Sequence, residues 1–467
     1  MISKDNDILL RRKIVFKQSE LKKLEDLYVE SGNQLVVLYG PMNCEKEELI
    51  RTFVEEKKHF YYRARKASAK EQLVMMGEEV AQKFDVRIQK HSYDEYFNRV
   101  KSGNPTKLVV VIDEFEHIAK KNPEFMESIL KLKNRRLYPG PVMIILASSS
   151  IVWAEQDMDA VIGETAAKSI DARIKIPNLN FLEVVRFFPE FSVSDSIKIY
   201  GVLGGVPGYL KHWKKRKSFK QNICDLILSE DGYFFKMAEE LVSSELRELS
   251  VYNTILMAIA KGENKLNDLY HYTGYSRPKI SVYMKNLSQF DIIEKVVSFE
   301  TGGWDNAKKG VYRIKDTYIN FYYRFVYPHL SDLYMMSPED FYDTYIEKEL
   351  DDYLNRYFIN VCMEYLSLLN QIRRLPLVVT KMGTWVGKTG NIDIIAQSAD
   401  RQNIVGICNW EKEEFTLGMC KDLFDSMTKA KITSNHIYLF SATAFSPEVV
   451  ELSQLDKRFE LVDMKEL

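Results

Sequence analysis

Lys46 is the residue whose setting most directly suggests chemistry. An apolar run, Leu35 to Tyr39, reads as a buried parallel strand ending at Gly40, and the periodic residues Leu49, Ile50 and Phe53 begin a helix just after the lysine. Strand, glycine turn and helix is the context in which backbone N–H groups and a lysine cradle phosphates. The full pattern is Gly, four residues, then Gly-Lys-Ser/Thr. Gly40 and Lys46 stand in register, but Glu45 holds the second glycine position and Glu47 the hydroxyl position. Glycine alone enters left-handed backbone without steric cost, and the hydroxyl normally ligates Mg²⁺. A carboxylate can also bind metal, yet it faces the nucleotide's own charges. Two like charges about 4 Å apart repel by roughly 4 kcal/mol at an effective dielectric near 20. The expectation is a nucleotide-site scaffold whose binding of ATP and Mg²⁺ is weakened or lost.

A second candidate group lies downstream. Lys107-Leu-Val-Val-Val-Ile-Asp-Glu-Phe115 is an apolar β-prone run ending in two carboxylates. That is the Walker B pattern, in which Asp113 serves Mg²⁺ and Glu114 the attacking water. It is equally the pattern of an ordinary buried strand followed by an acidic helix start. The next run, Val142 to Ser150, ends in serines; Ser148 or Ser149 would sense a terminal phosphate, although serines at strand ends are commonly turn formers. The candidate nucleotide-binding residues are Gly40, Lys46, Glu47, Asp113 and Ser148, with Glu114 catalytic and Asp113 serving the metal if the site is active.

The elements that must position these residues are legible as a βα alternation. His59-Phe-Tyr-Tyr62 reads as a strand, Lys70 to Phe84 as a helix, and Lys13 to Tyr28 as a helix with Ser19 as candidate cap. Loop, acidic strand and polar-ended strand recur at the spacing a parallel sheet demands. With 467 residues and 46% hydrophobic content, the chain can build three or four domains. Its 65 basic and 66 acidic residues leave no global attraction to nucleic acid. The five cysteines show no metal spacing and suit a reducing compartment; no signal-peptide pattern or bilayer-length apolar run is present. A cytoplasmic protein without membrane contact is expected.

Beyond the sheet, Phe181 to Phe188 and Ser194 to Leu203 read as helices, ending in Gly204-Gly-Val-Pro-Gly-Tyr-Leu210. Here the chain resembles the predicted prokaryotic ATPases of the archaeal type, an AAA+/STAND-like group whose helical lid carries such a Gly-Gly-x-Pro-x-x-Leu motif. Ile14-Val-Phe-Lys-Gln-Ser-Glu-Leu21 resembles the family's opening motif, with Lys17 where arginine is usual. The resemblance runs along essentially the whole chain. It implies a P-loop ATPase-like core at 1–178, a helical lid at 179–248, a winged helix at 249–330 and a restriction-endonuclease-like domain at 331–467.

Residues in the third segment support that division. Helices around Ile255, Leu266 to Tyr272 and Ser276 to Phe290 precede two strands, Ile292 to Phe299 and Gly310 to Lys315, with a polar wing between. Arg277, Lys279 and Lys285 on the third helix, with Lys308 and Lys309 in the wing, are the candidate DNA contacts. Between Val251 and His329 there are eleven basic and seven acidic residues, a modest excess that also suits a protein-docking module. The aromatic run Tyr318 to Tyr327 is most simply core. In the last segment, the family's nuclease pattern implies a Phe-Glu pair, an Ile-Asp strand and Glu-Cys-Lys-Trp. This chain has Phe358-Ile359, Ile392-Asp393 and Ile407-Cys408-Asn409-Trp410, so only Asp393 remains and no nuclease is expected. Two readings stand: a non-hydrolysing or weakly nucleotide-binding scaffold or regulator associated with DNA or a protein, and an active ATPase using Lys46, Asp113 and Glu114.

Overall fold

The computed structural model describes residues 17–464 apart from 101–105, 136–139, 247, 300–309, 388–389 and 411–412. The chain divides into two compact units, Met1–Asn178 with Val206–Gly208 and Leu179–Gly205 with Tyr209–Leu467.

The first unit is built on five strands: β1 (Gln34–Tyr39), β2 (His59–Arg63), β3 (Leu108–Asp113), β4 (Val142–Ser148) and β5 (Ala172–Lys175). Their order is β2-β3-β4-β1-β5 and every pairing is parallel. The continuous apolar runs of β1, β3 and β4 follow from burial on both faces. Successive side chains alternate between two cores: Leu35, Val37, Val110 and Ile112 join one, while Val36, Leu38, Val109 and Val111 join the other. The helix Lys46–Val54 covers the second face through Leu49, Ile50 and Phe53. Ala69–Phe84 covers the first through Met76 and Val80, its start capped by the Ser68 hydroxyl. Ser19 does not act as a cap. The helix runs Gln18–Val29, so Ser19 lies inside its first turn and Lys17 holds the cap position.

Register decides what meets at the strand ends. Arg63 is paired with Asp113, Asp113 with Ala147, and Tyr39 with Ser148. Ligands of parallel α/β sheets bind beyond these carboxyl ends, and the residues singled out above lie there.

The second unit begins with the helices Phe181–Phe187 and Val193–Leu203, the latter ended by Gly204 at φ +61. Gly205 is required by close approach, since a Cβ there would lie 1.7 Å from the Leu179 carbonyl oxygen. Helices Leu249–Ala260, Leu266–Thr273 and Arg277–Gln289 pack through Ile255, Leu269, Ile280 and Met284, followed by the antiparallel pair β6 (Ile293–Val297) and β7 (Gly310–Ile314). Tyr318, Phe321, Tyr322 and Tyr323 are buried. A mixed sheet closes the chain: β8 (Val379–Val386), β9 (Asn391–Ser398), β10 (Asn403–Asn409), β11 (His436–Ser441) and β12 (Phe459–Asp463), in the order β12-β11-β10-β9-β8. Pairings among β10, β11 and β12 are parallel and the others antiparallel.

The expected wing departs from its hairpin at once. The Phe299 N–H donates to the Thr384 carbonyl at 2.8 Å, and the Ser298 hydroxyl accepts from the Val386 N–H at 2.9 Å. The Phe299 ring enters the core of the mixed sheet with Ile392, Ile395 and Val405. An edge strand presents unpaired backbone groups, and these two residues satisfy part of the β8 edge. Lys308 and Lys309 lie outside the described residues.

Candidate nucleotide site

The loop between β1 and the helix Lys46–Val54 keeps its bend without its second glycine. Glu45 itself takes the left-handed conformation, φ 63 and ψ 30, as does Asn43 at φ 61. For a residue with a Cβ this costs about 1 kcal/mol. The expectation that glutamate would spoil the loop therefore does not describe the backbone; the cost is taken as local strain. Gly40 is needed, because a Cβ would meet the Ile176 carbonyl oxygen at 2.6 Å and Cys44 Sγ at 2.9 Å. The Gly208 N–H, from the Gly-Gly-x-Pro motif, donates to the Asn43 carbonyl at 2.9 Å and steadies the loop's far side. No side chain caps the helix Lys46–Val54. Its first-turn N–H groups have no partners within the helix and suit an anion.

Lys46 sits at the centre of the site and is almost fully buried. Its Nζ donates to Asp113 Oδ1 at 3.0 Å, Glu114 Oε1 at 3.1 Å and Ser149 Oγ at 2.9 Å. Asp113 is inaccessible to solvent and its Oδ2 also accepts from the Tyr61 hydroxyl at 2.8 Å. Glu114 takes φ 52, a strained value for its type. It accepts from both the hydroxyl and the N–H of Ser149. Arg63 stands over the group, its guanidinium within ion-pair range of Glu47, Asp113 and Glu114. One oxygen from each of these three carboxylates falls within 4.8 Å of the others. Hard divalent cations bind carboxylate oxygens at about 2.0–2.6 Å, so the triad fits such an ion.

The electrostatics follow from burial and pairing. Burial opposes the charge of Lys46, but Asp113, Glu114 and Glu47 more than offset it and hold the ammonium above its ordinary range. Burial also opposes ionisation of Glu114, while Lys46, Ser149 and Glu116 hold it down to about 2. Glu116, nearly inaccessible, is pushed up to about 8, first by burial and then by the charge of Glu114. Its folded value thus exceeds its unfolded one, and the folded state binds the extra proton between about pH 4.5 and 8. This contribution to stability is lost as pH rises through that window. Glu114 acts oppositely, but below pH 4.5. Glu116→Gln should therefore gain stability over the unmodified protein on going from pH 5 to pH 8.5, by roughly 4 kcal/mol. Urea unfolding at the two pH values measures it.

Of the sequence candidates, Gly40, Lys46, Glu47, Asp113 and Glu114 converge. Ser148 does not face the group: its buried hydroxyl accepts from the Ser150 N–H at 3.1 Å, and its carbonyl accepts from Gly40. It is the last residue of β4, and the chain turns so that Ser149 reaches Lys46 instead. Tyr61, Arg63 and Glu116 were missed. The signal for Arg63 was a basic residue ending a strand on the same edge as Asp113.

The other candidates lie in the second unit. Arg277 donates to Asn267 Oδ1 at 2.8 Å and lies over the Tyr270 ring; Lys279 lies over Tyr275, and Lys285 is exposed. Asp393 Oδ2 accepts from the Cys408 N–H at 2.9 Å, and burial raises its carboxyl to about 6. Asn409 is buried and donates to the Glu413 carbonyl at 3.0 Å.

Residues 17–213 match a family described as an ATPase domain predominantly from Archaea. Residues 322–419 match a second family, DUF234, described as archaeal and bacterial proteins of unknown function. An uncharacterized protein of Methanocaldococcus jannaschii is 27% identical over 383 residues, 82% of this chain and 84% of that protein. Among solved structures, a Walker-type ATPase of Pyrococcus abyssi is 19% identical with a TM-score of 0.47, covering 67% of this chain and 97% of its own. The ORC2 protein of Aeropyrum pernix in its ADPNP–ADP complexes is 11% identical with a TM-score of 0.44, covering 69% and 94%. The ORC1 protein of the same organism, in complex with DNA, is 13% identical with a TM-score of 0.38, covering 70% and 97%. Among the described residues no helix is long and apolar enough to cross a membrane.

Proposed function

We propose that the ATPase domain binds a nucleoside triphosphate only together with a divalent cation, and turns it over slowly. The observation that carries this reading is the convergence of Lys46, Asp113, Glu114 and Glu47 around one point at the strand ends. Lys46 and the first-turn N–H groups of its helix would hold phosphate. Glu47, Asp113 and Glu114 would hold the cation, which supplies the charge that lets phosphate approach three carboxylates. Glu114 supports the slow turnover. A general base works best near the operating pH, and Lys46 and Ser149 hold this carboxylate below its ordinary range. Retention of Glu114 beside Ser149 favours the second reading, an ATPase of ordinary rate. Mg²⁺-dependent phosphate release that is slow but above that of Lys46→Ala supports the first; robust Mg²⁺-dependent release lost in Lys46→Ala supports the second, and release no greater than that of Lys46→Ala contradicts both.

The second unit is read as a helical lid, a winged helix and a nuclease-like domain without nuclease activity. Arg277, Lys279 and Lys285 support weak DNA binding with little sequence preference. Neutralising about four phosphates gives a log–log salt slope near −3.6. Arg277→Ala with Lys279→Ala should weaken binding in fluorescence anisotropy. Binding indifferent to both changes would make the module a protein-docking element.

A further inference from the structure

Arg63 ends β2 beside Asp113 and meets three carboxylates at once: Glu47 Oε1 at 3.6 Å, Asp113 Oδ2 at 3.7 Å and Glu114 Oε1 at 3.8 Å. These are the same three groups whose oxygens lie close enough together for one metal ion. Every contact is longer than the roughly 2.8 Å of a charge-assisted hydrogen bond, and the Arg63 side chain is 55% exposed. Lys46, by contrast, is 1% exposed and bonded at 3.0 Å. One cation is built into the site; the other leans over its mouth. A divalent ion entering the triad would repel the guanidinium, and the nearest negative charge left to it would be the outer phosphate of a nucleotide on Lys46.

We propose that Arg63 is the resident counter-charge of the metal triad, displaced by the divalent cation and then paired with the terminal phosphate. The second half rests on the nucleotide reading above; the first does not. It makes Arg63 a positioning residue supplied by the same chain.

The two halves predict opposite signs. Without nucleotide, Mn²⁺ titrated by electron paramagnetic resonance should bind Arg63→Gln about 10-fold more tightly than the unmodified protein, the competing charge having gone. With Mn²⁺ saturating, a non-hydrolysable ATP analogue should bind Arg63→Gln about 10-fold more weakly, and Arg63→Lys should recover part of that loss. Unchanged or weaker Mn²⁺ binding by Arg63→Gln overturns the counter-charge role. Tighter Mn²⁺ with unchanged analogue binding overturns the phosphate role alone. If the unmodified protein binds Mn²⁺ but no analogue, the nucleotide reading and the phosphate role fall together, while the Mn²⁺ comparison still decides the counter-charge role.

Discussion

Lys46→Ala should lose nucleotide binding by about 100-fold, the worth of roughly 3 kcal/mol for a charged contact to phosphate. It should also lower stability at neutral pH. The ammonium is the close partner of two buried carboxylates, and removing one member of such a cluster leaves uncompensated charge worth about 3 kcal/mol or more. The deficit should shrink in acid, where Glu114, no longer held down by Lys46, takes up a proton in the variant. Denaturant unfolding at pH 7 and pH 4, alongside equilibrium binding of a fluorescent nucleotide, separates the two losses. A variant of unchanged stability that still bound nucleotide would mean that Lys46 is not the anchor.

Glu47→Thr should change the character of binding more than its strength. Under the proposed function Glu47 would help gather the cation, and would repel phosphate when none is present. Threonine removes that repulsion and restores a neutral ligand. Affinity measured in EDTA should therefore rise about 10-fold, on the basis of a like-charge repulsion weakened by solvent. The gap between affinities with and without Mg²⁺ should narrow correspondingly. Adding Glu45→Gly should contribute about 1 kcal/mol of stability by relieving the left-handed glutamate. A Mg²⁺ dependence identical in Glu47→Thr and the unmodified protein would remove Glu47 from the cation's ligands.

What the sequence revealed and what it hid have distinct physical causes. The strands that lead to Gly40 and end at Asp113 and Ser148 are buried on both faces, so their apolar runs and punctuation mark them. Lys46 and Asp113 meet because a parallel sheet gathers strand ends, which spacing alone implies. Arg63 was hidden because its role depends on the register that ends β2 beside Asp113 and sets the guanidinium over three carboxylates, which spacing along the chain does not state. Ser149 was not separable from Ser148, since one residue of register decides which hydroxyl faces Lys46. At Glu45 residue type argued for strain in the loop, and the glutamate does take the left-handed angle, at modest cost. The aromatic segment around Tyr322 was legible as core from its helical spacing. Its neighbour Phe299 was not, because its burial comes from β8, some eighty residues on. In the last segment, residue types were enough to raise the question at Ile359, Ile407 and Asn409. Only the structure shows that Asp393 is engaged by the Cys408 backbone.

The most direct measurement is calorimetric titration of ATP into the unmodified protein, once with excess Mg²⁺ and once in EDTA. Binding with Mg²⁺, and a loss of 100-fold or more without it (about 2.7 kcal/mol), is the result expected of a lysine among three carboxylates. No binding in either buffer, or equal affinity in both, would contradict it.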